Sequence, residues 1–165
     1  MEPRNIEEEA VHGSDGHMII FVDADACPVT REAAAIARKH RLPVVLVANE
    51  SQNLDRFADR EEVEIMKVRG GPDSADFAMV PRLSPGDIVV TNDTGLAAMA
   101  LGRGARALSP RGKVFLAGTI DLELDIRHAE KRHRRAGGRT SGPPPFEPEH
   151  RAHFREPLER LITER

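Results

Sequence analysis

The sequence contains few aromatic residues: no tryptophan, no tyrosine and six phenylalanines among 165 residues. Its core must therefore be mainly aliphatic, and few rings are present on which the bases of a single-stranded nucleic acid could stack. The single cysteine excludes an internal disulfide and any zinc site built from cysteines. The formal net charge of −3 provides no general attraction to nucleic acid.

Long hydrophobic runs are also missing. No apolar stretch approaches the roughly 20 residues that a membrane span requires, and the acidic N-terminus lacks the apolar segment of a signal peptide. We therefore expect a cytoplasmic protein without a membrane partner; the oligomeric state is not predicted. The length suits one ordinary domain. Residues 1–17 are polar and aperiodic, which predicts a flexible extension before a single α/β domain over residues 18–165.

From Met18 onward, apolar runs alternate with helical stretches. The predicted strands are Met18–Asp23, Pro43–Ala48, Val63–Val68, Asp87–Thr91 and a short fifth, Ala105–Leu108. The predicted helices between them are Val29–His40, Ser74–Leu83 and Thr94–Leu101, with a further short helix possible at Leu54–Ala58. Strands that are apolar on both faces and alternate with helices predict a three-layer α/β/α architecture around a mostly parallel sheet of four to five strands.

The C-terminal part has a different pattern. We predict a helix over Thr119–Arg135, a loop over Ala136–Pro148 rich in glycine and proline, and a last helix over Glu149–Thr163 that is interrupted near Pro157. The segment Arg127–Arg139 has six basic residues against a single acidic one. It is either a surface for phosphate backbones or a solvated helix face.

Two aspartates follow the first apolar run. If the strand extends through both, Asp23 and Asp25 point to the same side, because side chains alternate along a strand. Two like charges held together are unfavourable unless a proton or a cation lies between them. The pair therefore suggests a hard metal ion or acid chemistry, although Asp25 could instead cap the helix that follows Pro28.

Further carboxylates are expected at the same edge of the sheet. Asp93 follows the fourth strand. Asp76 lies in the first turns of the predicted helix Ser74–Leu83, with Asp73 one turn before it. Oxygen ligands from several strand ends suit Mg²⁺ or Mn²⁺, which can activate water for phosphoryl displacement. Asp93 could alternatively cap its helix, and Asp73 and Asp76 could be ordinary first-turn acids.

These residues belong to a longer set of motifs that resembles the YaiI/YqxD family. The motifs lie in Val22–Val29, Val47–Asn49, Ser74–Asp76, Pro85–Asp93 and Leu108–Gly112, in the family's order. The resemblance runs from about Met18 to the C-terminus, and its Asp-Ala-Asp-Ala-Cys-Pro string is distinctive. The family is formally uncharacterised and is similar to PIN-like domains, whose metal-dependent nucleases gather acidic residues at the carboxyl edge of a parallel sheet.

The resemblance implies a PIN-like domain in which Asp23, Asp76 and Asp93 hold a metal and the family adds Asp25. The expected function is a phosphodiesterase that uses Mg²⁺ or Mn²⁺ on single-stranded RNA or DNA, with all four aspartates as catalytic and metal-binding candidates. The candidates for substrate binding are Arg111, Asn92 and Thr91. Arg111 lies in a Pro-Arg-Gly turn and could reach a phosphate, orient an aspartate or brace the sheet.

Two alternative functions remain open at this point. The protein could be a non-catalytic module that binds a nucleotide or a protein and holds a structural cation. It could also be a haloacid-dehalogenase-like phosphatase, because a strand followed by Asp-x-Asp is typical of that class, with Gly86-Asp87 and Asp93 as its distal acidic motif. That class has Thr or Val where Cys27 stands here. For Cys27 we favour a small buried residue over a reactive thiol.

Overall fold

The computed structural model describes residues 18–50, 52–71, 73–139 and 145–164. The predicted extension over residues 1–17 and the middle of the predicted loop over 136–148 lie outside these ranges. The strands are β1 (Ile20–Asp23), β2 (Val44–Asn49), β3 (Val63–Val68), β4 (Ile88–Val90), β5 (Arg106–Leu108) and β6 (Val114–Phe115). All five predicted strands are present: Val63–Val68 has the predicted ends, and the other four differ by one or two residues.

The six strands form one sheet in the order β3-β2-β1-β4-β5-β6. The first five are parallel, and β6 pairs antiparallel with β5. The mostly parallel sheet is confirmed, but it has one strand more than the upper limit of the predicted four to five. The sixth strand has only two residues and follows a tight turn over 109–112, so it is too short to show any periodicity in the sequence.

The helices are α1 (Thr30–Lys39), α2 (Ser74–Met79), α3 (Thr94–Gly102), α4 (Ile120–Arg135) and α5 (Pro148–Thr163). Short 3-10 helices cover Ala24–Ala26, Asp55–Phe57 and Val80–Arg82. No helix in the described ranges is both long enough and apolar enough to cross a membrane.

Alternate residues of each strand supply two separate core layers. Ile20 and Val22 point to the face covered by α1 and α5, whereas Phe21 points to the face covered by α2, α3 and the start of α4. Strands that are buried on both faces are typical of a parallel sheet between helices. The three-layer α/β/α architecture is therefore confirmed, and the carboxyl ends of its parallel strands meet at one edge.

Two of the predicted helices have different ends in the structure. The predicted helix over Ser74–Leu83 is α-helical only to Met79 and continues as a 3-10 turn. Pro81 cannot donate a hydrogen bond to the carbonyl of Phe77, so the α-helical pattern ends there. The predicted helix over Val29–His40 is one residue shorter at each end, and it begins at Thr30, whose hydroxyl donates to the Cys27 carbonyl.

The predicted interruption of the last helix at Pro157 was wrong. Helix α5 begins at Pro148, inside the predicted loop, and is continuous past Pro157. Phe154, Leu158 and Ile162 recur at helical spacing on both sides of the proline and are buried in the core. The free energy of burying these side chains exceeds the cost of the one hydrogen bond that the proline removes.

Candidate functional site

The sheet reverses its direction of growth between β1 and β4. The chain adds β2 and β3 on one side of β1 and then crosses to place β4 on the other side. In open parallel sheets the crevice outside such a reversal, at the carboxyl ends of the strands, is where ligands bind. Asp23 ends β1 and Asp93 follows β4 by three residues, so both lie at this point.

Asp23 is half-buried and accepts a hydrogen bond from the hydroxyl of Thr91, 3.1 Å from its Oδ2. Burial raises the pKa of Asp23 above its ordinary value of 3.8, and the nearby charges of Asp25 and Asp93 raise it further. The Thr91 hydrogen bond lowers the pKa but does not cancel these effects. Asp23 is therefore an acid held at an unfavourable position by the strand that ends with it.

Asp76 lies in the first turn of α2 and faces the same crevice. Burial, which is the largest cause, and neighbouring carboxylates together raise its pKa to about 6. These carboxylates belong, in order of their effect, to Asp93, Asp23 and Asp73. An acid in the first turn of a helix normally gains from the helix dipole, so the raised pKa indicates that burial, together with the neighbouring negative charges, exceeds that gain.

Asp25 and Asp93 are held by backbone N–H groups. Both carboxylate oxygens of Asp25 accept from the N–H of Asn49 at the end of β2, at 2.9 and 3.1 Å. Asp93 caps α3, with Oδ1 accepting from the N–H groups of Gly95 and Leu96 at 2.8 and 3.3 Å. The capping role that the sequence left open for Asp93 is thus present, whereas Asp25 binds β2 and caps no helix.

The geometric premise for Asp25 was wrong. Strand β1 ends at Asp23, and Asp25 lies in the 3-10 turn Ala24–Ala26, so the two carboxylates are not alternate residues of one strand. They are nevertheless close enough for the charge of Asp25 to raise the pKa of Asp23. The turn brings them together because it folds back against the end of β2.

All four aspartates line one cleft of about 570 Å³, together with Asn49, Gly70, Ser74 and Asn92 among others. We call it the acidic cleft. Within the described ranges, no three Asp, Glu, His or Cys side chains are close enough together to surround one metal ion. The cleft thus concentrates negative charge at the strand ends without forming a closed cage of protein ligands.

The three predicted substrate-binding residues differ in accessibility. Two further cavities adjoin the acidic cleft, and the exposed Asn92 lines all three. Arg111 lines only one of these, a cavity of about 500 Å³ on the far side of Asn92. Thr91 is fully buried; its hydroxyl donates to Asp23 and accepts from the N–H of Asp93 at 3.0 Å. Because Thr91 is buried, it can position Asp23 and Asp93 but cannot contact a substrate itself.

Two other expectations bear on the chemistry. Asp87 precedes β4 and is buried at the amino edge of the sheet, opposite Asp93, where it binds the N–H groups of Ile19 and Ser84. The two acids therefore cannot form the distal motif of a haloacid-dehalogenase-like phosphatase. Cys27 is buried, as expected, and burial raises its pKa to about 12, which excludes a reactive thiolate at neutral pH.

One exposed residue at the site was missed in the sequence. Phe77 follows Asp76 in α2, and 79% of its surface is exposed. Ala75 and Met79, four residues apart, form the buried side of this helix. With these two residues on the buried side of the helix, helical periodicity predicts that Phe77 lies on the solvent side, next to the acidic cleft.

Comparison with known proteins identifies the family. The model of the uncharacterised bacterial YaiI/YqxD family matches residues 21–164. The chain belongs to this family. A UPF0178 protein of Exiguobacterium sibiricum is 40% identical over 148 residues, covering 90% of this chain and 99% of the relative. A UPF0178 protein of Brucella ovis is 42% identical over 144 residues, covering 87% and 88%. No solved structure matches the chain, so its likeness to PIN-like domains stays a prediction.

Proposed function

We propose that this member of the YaiI/YqxD family is a phosphodiesterase that uses Mg²⁺ or Mn²⁺ and acts on RNA or DNA at the acidic cleft. One observation carries the proposal: the carboxylates of Asp23 and Asp76, from different elements, share a cleft that raises the pKa of both. A divalent cation between them would relieve the repulsion that the fold imposes. The cleft lies where parallel sheets bind their ligands.

The donor set suits Mg²⁺ in a particular way. Magnesium keeps several of its waters and often takes only one or two protein carboxylates, so it does not need three protein ligands around one point. We assign direct binding to Asp23 and Asp76. Asp25 and Asp93, whose oxygens already accept backbone N–H groups, would add negative charge and hold metal-bound water.

The remaining residues position this set. Thr91 fixes the Asp23 carboxylate through its hydroxyl and fixes the start of α3 through the N–H of Asp93. Asn92, which lines all three cavities, would donate a side-chain N–H to a phosphate. When bound, Mg²⁺ or Mn²⁺ would supply a water activated for attack and would neutralise charge on the phosphate.

Hydrolysis of single-stranded RNA and DNA in Mn²⁺ tests the proposal. We expect Asp23→Asn and Asp76→Asn to lose activity by on the order of 100-fold, because each removes a carboxylate that would hold the metal, and with it the activated water. Asp59→Asn is the matched control, since Asp59 is exposed and lines none of the three cavities at the site. Equal activity of wild type and Asp23→Asn would refute the enzymatic role.

A second candidate is supported by the hydrogen bonds of Asp25 and Asp93. Both carboxylates brace the backbone, as they would in a non-catalytic module that holds a structural cation. Calorimetry with Mn²⁺ separates the two functions. Binding that stabilises the fold without any hydrolysis of RNA or DNA would favour the module, and binding unaffected by loss of Asp93 would argue against a shared site.

A further inference from the structure

A second groove of about 720 Å³ opens directly into the acidic cleft. It lies between α2, α3 and α4, and it shares Asp76, Asn92 and Asp93 with that cleft. Its walls differ in character. Helix α2 and the turn after it contribute Phe77, Val80 and Pro81 beside the carboxylate of Asp76, while α4 contributes mainly basic side chains and Leu124. A ligand in this groove would therefore extend to the proposed centre and would itself have both apolar and negatively charged parts.

The apolar wall presents an exposed ring. All six phenylalanines lie in the described ranges, and the other five are buried or packed against the core. Phe77 is 79% exposed and lines the groove together with Met99, which is 42% exposed. An exposed aromatic ring beside a charged groove is the arrangement on which nucleic-acid bases stack.

The basic wall is one face of α4. Arg127, Lys131 and Arg134 line the groove at helical spacings of four and three residues, so they project from the same side of the helix. Arg127 and Lys131 are exposed and form no ion pair with any other described residue. Their charges are available for phosphates, in a chain whose net charge is otherwise slightly negative.

We propose that this groove binds a single-stranded nucleic acid, with one base stacked on Phe77 and the phosphates along Arg127 and Lys131. A single strand fits better than a duplex, because the face of an unpaired base is free to stack. An acidic polypeptide would match the cations but has no base for the ring. The proposal rests on the proposed function for its substrate class, and it adds the path by which the strand reaches the acidic cleft.

Fluorescence anisotropy with labelled single-stranded oligonucleotides, oligo(U) and oligo(dT), tests the groove. Titrations in EDTA and in Ca²⁺ measure affinity with the acidic cleft empty and with its charge neutralised. We expect Phe77→Ala to weaken binding about tenfold and Phe77→Tyr to restore it, because both rings stack. The matched control is Leu122→Ala, since Leu122 is a 63% exposed apolar residue of α4 outside the groove lining.

The salt dependence tests the basic wall. Removing one cation that binds a phosphate should reduce the slope of log K against log salt by roughly 0.7 for a single strand, so Arg127→Ala with Lys131→Ala should reduce it by about 1.4. Arg31→Ala with Arg38→Ala removes the same charge from α1, on the opposite face of the sheet, and should leave the slope nearly unchanged.

Several results would contradict binding of a single strand in the groove. The wild type could fail to bind in both EDTA and Ca²⁺, or Phe77→Ala and Leu122→Ala could bind with equal affinity. The α4 double variant could keep the wild-type salt slope, or polyglutamate of equal charge could displace the oligonucleotide. Binding that requires Phe77, in a protein that hydrolyses nothing, would keep the groove and reject the proposed function. If the protein hydrolyses RNA or DNA and every variant binds the oligonucleotide with wild-type affinity, the proposed function is kept and the groove is rejected.

Discussion

Two aspartates at opposite edges of the sheet show how differently the fold treats a carboxylate. Asp87, at the amino edge, is only 1% exposed, and its two oxygens accept the N–H groups of Ile19 and Ser84 at 2.9 and 2.8 Å. Asp23, at the carboxyl edge, is less buried and accepts a hydrogen bond from one hydroxyl. Its neighbours include other carboxylates. The more deeply buried acid is the better satisfied one.

The difference separates a structural acid from a candidate functional one. Backbone N–H groups pointed at Asp87 stabilise its charge and tie β1 to the turn before β4. At the carboxyl edge the fold instead gathers like charges whose repulsion costs stability. Such clusters of perturbed pKa values occur preferentially at functional sites. Burial alone would have indicated Asp87 as the candidate functional acid. The lack of hydrogen-bond donors that would compensate the charge indicates Asp23 and Asp76 instead.

The largest expected effect is at the amino edge. Asp87→Ala should lower the free energy of unfolding by about 4 kcal/mol, because it removes the acceptor of one buried and one partly buried N–H group. Urea unfolding followed by far-UV circular dichroism measures this, since the chain has no tryptophan or tyrosine for fluorescence. Asp59→Ala, on the surface, is the control and should have little effect. A loss below about 1 kcal/mol for Asp87→Ala would contradict its structural role.

The next effect is a gain at the carboxyl edge. Mn²⁺ at about 100 times its Kd should raise the free energy of unfolding by about 2.7 kcal/mol, because the cation binds only the folded cleft. Calorimetry gives the Kd, and thermal unfolding gives the stabilisation. Asp23→Asn and Asp76→Asn should abolish the gain and Asp59→Asn should keep it. Equal stabilisation of all four proteins would place the cation elsewhere.

A smaller effect depends on pH in metal-free buffer. Asp76 has a folded pKa of about 6, above its ordinary 3.8, so the folded state binds the proton more tightly and stability falls as pH rises through this interval. The shift corresponds to about 3 kcal/mol, which we halve to about 1.5 kcal/mol because solvent screens a half-exposed carboxylate.

Asp76→Asn should therefore be more stable than wild type at pH 8, and the two proteins should converge as pH falls toward 4. Urea unfolding at several pH values in EDTA measures the difference. Asp59→Asn should show no such trend. A stability difference that is constant with pH would mean that the charge of Asp76 is not what the cleft disfavours.

The smallest effect separates the two roles of Asp93. Asp93→Ala should cost about 1 kcal/mol of stability because α3 loses its cap, whereas Asp93→Ser should cost only a few tenths because a serine hydroxyl also caps a helix. Both variants remove the carboxylate, so both should weaken Mn²⁺ binding to the same extent. If Asp93→Ser binds Mn²⁺ as wild type does, the carboxylate acts only as a cap.

Much of this arrangement could be predicted from local patterns. The runs that became β1, β2 and β4 are apolar on both faces, which is typical of buried parallel strands, and the parallel rule then places Asp23 and Asp93 at one edge. Two kinds of feature could not be predicted. β6 is too short for a pattern, and α5 continues through Pro157 because its buried side chains pack into a core that no local rule describes.

The sequence by itself determined the family, the layered α/β architecture and the edge at which its acids collect, because alternation and strand ends are local properties of the chain. Only the tertiary structure decided how each acid is used. Asp25 is held by a backbone N–H from β2, Thr91 is buried beneath Asp23, and Phe77 faces basic residues of α4 some fifty positions away. These contacts depend on how distant elements pack, and no spacing along the chain encodes that directly.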